Sequence, residues 1–108
     1  MKIYPKKSLG QNFLINKEII HKIVDIGKIN NQSIIIEIGP GTGNLTEELI
    51  KKNPKKFYAI EKDNNLFLNL KNKFGTNLDL INKDVLEVDW ELFSKDQCIV
   101  FGNLPYNI

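Results

Sequence analysis

The sequence predicts an α/β fold: an open sheet of parallel strands with helices crossing between them. Three observations predict it. Short apolar, β-branched runs alternate along the chain with segments of helical period. The first such run, 33–38, is continuous rather than alternating, the pattern of a strand buried on both faces of a parallel sheet. The polar residues of chemical interest fall at strand carboxyl ends, where open parallel sheets bind their ligands.

The elements follow in order. Residues 1–15 have no steady period and read as an extended arm. Asn16 is a suitable cap for a helix that places Ile19, Ile20, Ile23 and Val24 on one face, with Gly27 as its stop. After strand 33–38 comes a glycine turn, then a helix carrying Leu45, Leu49 and Ile50 that Asn53-Pro54 closes. Phe57 to Ile60 reads as the second strand, and a helix from Asn64 to Phe74 turns Leu66, Phe67 and Leu70 inward before Gly75 ends it. Leu78 to Ile81 is the third strand, and Cys98 to Phe101 the fourth. Between them, 85–93 reads as a short helix or turn in which Trp90 anchors the core. Right-handed crossovers then build four parallel strands outward from a central first one.

Composition narrows the class. The 108 residues are enough for one domain, and 42% hydrophobic with 26% charged residues is ordinary globular chemistry. No apolar run approaches the roughly 20 residues of a membrane span, and the first residues lack an apolar signal core. A lone Cys98 cannot close an internal disulfide, which fits the cytoplasm, and it reads as a buried strand residue. Net charge is only +2, but Lys51, Lys52, Lys55 and Lys56 form a cluster. Such a cluster is a solvated surface or a phosphate contact. His21 has no companion ligand set, and no zinc, calcium or phosphate-loop lysine motif occurs, so no metal is expected.

The chemistry-bearing residues are few. Glu37-Ile38-Gly39-Pro40-Gly41-Thr42-Gly43 is a glycine turn between strand and helix, where Gly39 and Gly41 permit sharp bending and close approach of a ligand. Nicotinamide enzymes use similar turns, so the turn alone does not name the ligand. Glu61, about 20 positions on at the second strand end, is placed to accept from ribose hydroxyls. Asp84, assigned to the third strand end, is placed to accept from an adenine amino group; alone it would equally suit a helix cap. Asn103-Leu104-Pro105-Tyr106 follows the fourth strand. The Asn103 side-chain oxygen and the Leu104 carbonyl suit the two hydrogens of an adenine amine, directing its lone pair toward a methyl sulfonium by positioning and electrostatics. Pro105 stiffens this turn and Tyr106 offers a stacking face for an extruded base.

With these motifs the chain resembles the ribosomal RNA adenine N6,N6-dimethyltransferases. Four blocks carry the resemblance: Ser8 to Leu14, Glu37 to Gly43, Ile60 to Asp63, and Gly102 to Ile108. The resemblance implies a Rossmann-like class I methyltransferase fold and S-adenosylmethionine as methyl donor. Asn12 and Leu14 would line the donor's entrance, with the arm folding over it. Gly39 would approach the methionine part, Glu61 the ribose and Asp84 the adenine ring, with Asn103 between donor and target amine. It further implies dimethylation of two adjacent adenines near the 3′ end of small-subunit rRNA in an immature ribosomal subunit, by a cytoplasmic monomer. Leu104 favours that branch over the large-subunit, antibiotic-resistance branch, where Ile is frequent. Members of this family continue into further strands and a small helical domain. Residues 1–108 are therefore expected to be the front part of the cofactor-binding domain, with a bare edge at the fourth strand, and inactive alone. Two competing readings stay open: a nicotinamide-dependent oxidoreductase, and a non-catalytic RNA-binding assembly factor.

Overall fold

The computed structural model describes residues 16–93 and 97–102. Helix α1 (Lys17–Ile26) begins where the Asn16 side chain accepts from the Ile19 N–H, and it buries Ile20 and Val24. Strand β1 (Ile34–Ile38) leads into helix α2 (Asn44–Ile50), whose Leu45, Thr46 and Leu49 are buried. Strand β2 (Lys56–Ile60) is followed by helix α3 (Asn64–Phe74). The Asp63 side chain caps α3 by accepting from the Leu66 N–H, and Gly75, at φ 58°, ends it. Strand β3 (Asp79–Ile81) and strand β4 (Cys98–Gly102) complete the sheet.

All pairings are parallel, and the spatial order is β3-β2-β1-β4. Strand order reverses beside β1, so β1 and β4 bound the switch point of the sheet. The register makes the carboxyl ends level: Ile38 pairs with Ile60 and with Gly102, and Ile60 pairs with Ile81. This is the Rossmann-like order that the sequence predicts.

Alternate residues of the strands feed two cores. Ile35, Phe57, Ala59 and Phe101 pack beneath the three helices, against Val24, Leu49, Leu70 and Phe74. Ile36, Ile38 and Ile60 face the other way, toward Tyr58, Val85, Val88 and Phe93. Strand β1 is thus buried on both faces, as its apolar run requires.

Residues 85–93, expected as a short helix or turn, contain no α-helix. They form two 3₁₀ turns, Val85–Glu87 and Trp90–Phe93, and Asp84 and Asp89 supply side-chain acceptors at their starts. Trp90 stays 39% exposed, tilted against Phe93 at 5.9 Å between ring centres, so it covers the core's edge rather than anchoring its centre. Cys98 is half-buried, because β4 is an edge strand among the described residues. His21 pairs with Glu48 of α2 at 2.9 Å, and Lys51 reaches the other oxygen of Glu48 at 2.8 Å. These two neighbours, Lys51 first, hold the Glu48 carboxyl below its ordinary range, and the His21–Glu48 pair ties α1 to α2.

Candidate functional site

The level strand ends determine what meets at the site. One residue beyond each pairing lie Gly39, Glu61 and Asn82, and Asn103 is next in sequence after Gly102. The glycine turn leaves β1 through Gly39 at φ 67°, Gly41 at 62° and Gly43 at 90°, values that disfavour any side chain with a Cβ. The Gly39 N–H donates to the Ile60 carbonyl (2.9 Å), locking the turn's start to the end of β2. Gly43 is tight for a second reason: a Cβ there would lie 2.7 Å from the Phe74 ring. Gly41 has the opposite surroundings: among the described residues the nearest atom to such a Cβ is 3.9 Å away, which leaves its outer side open to a ligand there.

Glu61 turns back onto this loop. Its Oε1 accepts from the Gly41 N–H (3.2 Å) and its Oε2 from the Asp63 N–H (3.0 Å). The side chain is buried, and the two backbone donors fix its orientation. A carboxylate offers about four lone-pair sites, so each oxygen keeps one for a ligand hydroxyl. Glu61 and the glycine turn, twenty residues apart in sequence, therefore form one hydrogen-bonded unit.

The third strand end differs from the sequence expectation. Strand β3 stops at Ile81, so Asp84 lies three residues past it, and its Oδ1 accepts from the Leu86 N–H (3.0 Å). The residue level with Glu61 is Asn82, whose side-chain amide donates to the Glu61 carbonyl at 2.9 Å. Asn82 thereby braces the Glu61 backbone from the side. Asp84 remains half-buried on the same strand-end side of the sheet, following Asn82 and Lys83.

Comparison with known proteins fits this geometry. A family model described as ribosomal RNA adenine dimethylase matches residues 4–108. The chain belongs to that family. It is 53% identical over 108 residues to the ribosomal RNA small subunit methyltransferase A of Pelagibacter ubique, covering 100% of this chain and 41% of that protein. A dimethyladenosine transferase from Plasmodium falciparum superposes with a TM-score of 0.73 at 31% identity, over 86% of this chain and 34% of that one. The 23S rRNA methyltransferase ErmE gives the same TM-score, 0.73, at 24% identity over 86% of this chain and 37% of its own; that likeness shows the fold alone. The chain spans about two-fifths of the length of the curated relatives it matches.

In this rRNA adenine dimethylase family member a second carboxyl lies beneath the turn. Glu37, next to last in β1, is buried and accepts from the Thr46 hydroxyl of α2. Burial pushes its carboxyl up to about 7; the Thr46 hydrogen bond opposes that rise and the Glu61 charge adds to it. Glu37 and Thr46 bracket the glycine turn, so their bond spans the loop that meets Glu61. The signal for this pair was a carboxylate set in an otherwise apolar strand. Asn12, Leu14 and Asn103-Leu104-Pro105-Tyr106 lie outside the described residues.

Proposed function

We propose that this chain carries the S-adenosylmethionine-binding part of an enzyme that dimethylates adenine N6 in small-subunit rRNA. The observation that carries the reading is the Gly41–Glu61 hydrogen bond, which joins an open glycine turn to a buried carboxylate at the switch point of the sheet. An adenosine-bearing ligand needs that pairing of open backbone with a hydroxyl acceptor. In this reading Gly39 and Gly41 admit the methionine part, Glu61 accepts from the ribose hydroxyls and Asp84 accepts from the adenine amine. Asn12 and Leu14 close the entrance. The bound donor supplies an electrophilic methyl group on a sulfonium, and no metal takes part.

The protein's remaining work is positioning. Adenine N6 is a weak nucleophile because its lone pair is shared with the ring. Asn103 and the Leu104 carbonyl accept its two hydrogens and hold the lone pair toward the methyl group, while Tyr106 stacks the base and Pro105 keeps the turn rigid. The register supports this, because Asn103 follows directly on Gly102, which is level with the ends of β1 and β2. A small-subunit target is favoured by the name of the 53% identical relative and by Leu104, and the reading takes the sites to be two adjacent adenines near the 3′ end of that rRNA in an immature subunit. In this reading residues 1–108 form the front of the catalytic domain, with 1–15 as its arm, and they align with 41% of the Pelagibacter relative. The reading includes a cytoplasmic monomer as the acting form.

Transfer of labelled methyl groups from S-adenosylmethionine to unmethylated small subunits by the full-length protein, followed by nucleoside analysis, tests the reading. Labelled N6,N6-dimethyladenosine that disappears with Asn103→Ala is expected. Equal incorporation by Asn103→Ala would remove that residue from its role, and no incorporation by wild type would remove the activity.

A further inference from the structure

The lysine cluster at 51–56 is not used by the methyl-transfer site, and the fold puts it at the opposite end of the sheet. Lys56 opens β2 and pairs with Ile34, the first residue of β1. Five residues of strand separate it from Glu61, roughly 17 Å at about 3.3 Å per residue. The connection carrying the cluster is pinned. The Lys55 and Lys56 N–H groups both donate to the Ser33 carbonyl, and the Asn53 N–H donates to Ile50 at 3.0 Å, with Asn53 in the left-handed region at φ 52°.

The four lysines differ in their surroundings. Lys51 is held by Glu48. Lys52, Lys55 and Lys56 are exposed and have no ion-pair partner among the described residues. Lys55 and Lys56 line a notch of about 290 Å³ with the polar Asn53, Thr76, Asn77 and Asp79, over a floor that includes Ile50, Pro54, Phe57 and Leu78. Its lining thus combines two lysines with two asparagines, a threonine and one aspartate. None of the large exposed hydrophobic side chains lies in it, so it offers nothing to enter a lipid surface.

We propose that this amino-end surface, Lys52, Lys55 and Lys56 with the Asn53–Asn77 notch, holds the phosphate backbone of the substrate RNA at a distance from the target base. Ammonium groups meet the phosphates, and the amides and hydroxyl suit sugar 2′-hydroxyls. A structured RNA then grips both ends of the sheet, and only the carboxyl end does chemistry. The inference rests on the rRNA reading above.

The test compares full-length wild type with Lys52→Glu/Lys55→Glu/Lys56→Glu for binding to an unmethylated small-subunit rRNA transcript, across a salt series. S-adenosylhomocysteine binding serves as the check of folding. Each phosphate contact contributes about 0.7–0.9 to the slope of log affinity against log salt, so the variant's slope is expected to be shallower by about 2–3. Affinity at low salt should fall by more than tenfold while S-adenosylhomocysteine binding is unchanged. Unchanged affinity and slope, with wild type binding and methylating the RNA, would overturn the proposal and leave the function reading standing. If wild type neither binds nor methylates RNA, the function reading fails and takes this proposal with it. Should the triple variant lose S-adenosylhomocysteine binding, Lys55→Gln alone decides: a slope shallower by about 0.7–0.9 supports the surface, and an unchanged slope overturns it.

Discussion

Glu37 makes the stability of this domain depend on pH in a direction opposite to that of most carboxylates. Its carboxyl is moved from the ordinary 4.5 to about 7, chiefly by burial. The folded state therefore holds a proton there that the unfolded chain has already released between about pH 4.5 and 7. Stability is fully present below that window and is lost as pH rises through it. A displacement from 4.5 to about 7, at roughly 1.4 kcal/mol per pH unit, amounts to about 3 kcal/mol of destabilisation above pH 7. Glu37→Gln keeps the side chain's shape and the acceptor for the Thr46 hydroxyl but cannot ionise. Urea unfolding of both proteins at pH 5.5, 7 and 8.5 should show Glu37→Gln gaining on wild type by about 2 kcal/mol from the lowest pH to the highest, the rest of the loss falling below pH 5.5. Parallel pH profiles would refute the reasoning, since they would mean that Glu37 titrates alike in the folded and unfolded chains.

Other expectations come from single contacts. Gly43→Ala would put a Cβ 2.7 Å from Phe74 at φ 90°, so a loss of about 2–4 kcal/mol is expected in urea unfolding. Leu49, fully buried under the sheet, should lose about 2–5 kcal/mol as Leu49→Ala by the same measurement. Asp84→Ala removes the acceptor for the Leu86 N–H, a loss of about 1 kcal/mol, and should also weaken S-adenosylhomocysteine binding about tenfold by calorimetry. A stability loss with unchanged affinity would leave Asp84 as a cap only.

The elements most legible in the sequence were those specified locally. Asn16 and Gly75 mark helix ends because a side-chain acceptor and a left-handed backbone are properties of single residues. The β-branched run of β1 gave its central position, since only a doubly buried strand tolerates so little polarity. Strand limits were less legible. Ser33 and Leu78, expected to open β1 and β3, fall outside the ladder, Leu78 being buried by packing rather than by pairing. Residues 85–93 mix apolar side chains with carboxylates at a spacing that suits neither period, and the capping aspartates resolve them into 3₁₀ turns.

The site was partly legible for the same reason. The glycine turn and Glu61 announce themselves by residue type and spacing, and the fold brings them into hydrogen-bonding contact. The Glu37–Thr46 pair and the Asn82 brace are tertiary: each exists only once α2 or β3 has docked beside its neighbour. An acidic residue after an apolar run looks terminal, so the sequence places Asp84 at a strand end. The ladder stops three residues earlier, at Ile81.

Calorimetric titration of S-adenosylhomocysteine and of NAD into full-length wild type and Glu61→Ala tests the nucleotide site most directly. Glu61 is proposed to accept two ribose hydrogen bonds, so its loss should weaken S-adenosylhomocysteine binding about 100-fold, on the order of 3 kcal/mol, with NAD binding weakly or not at all. Tighter binding of NAD than of S-adenosylhomocysteine, or an affinity unmoved by Glu61→Ala, would contradict the assignment of the glycine turn and Glu61 to an S-adenosyl ligand.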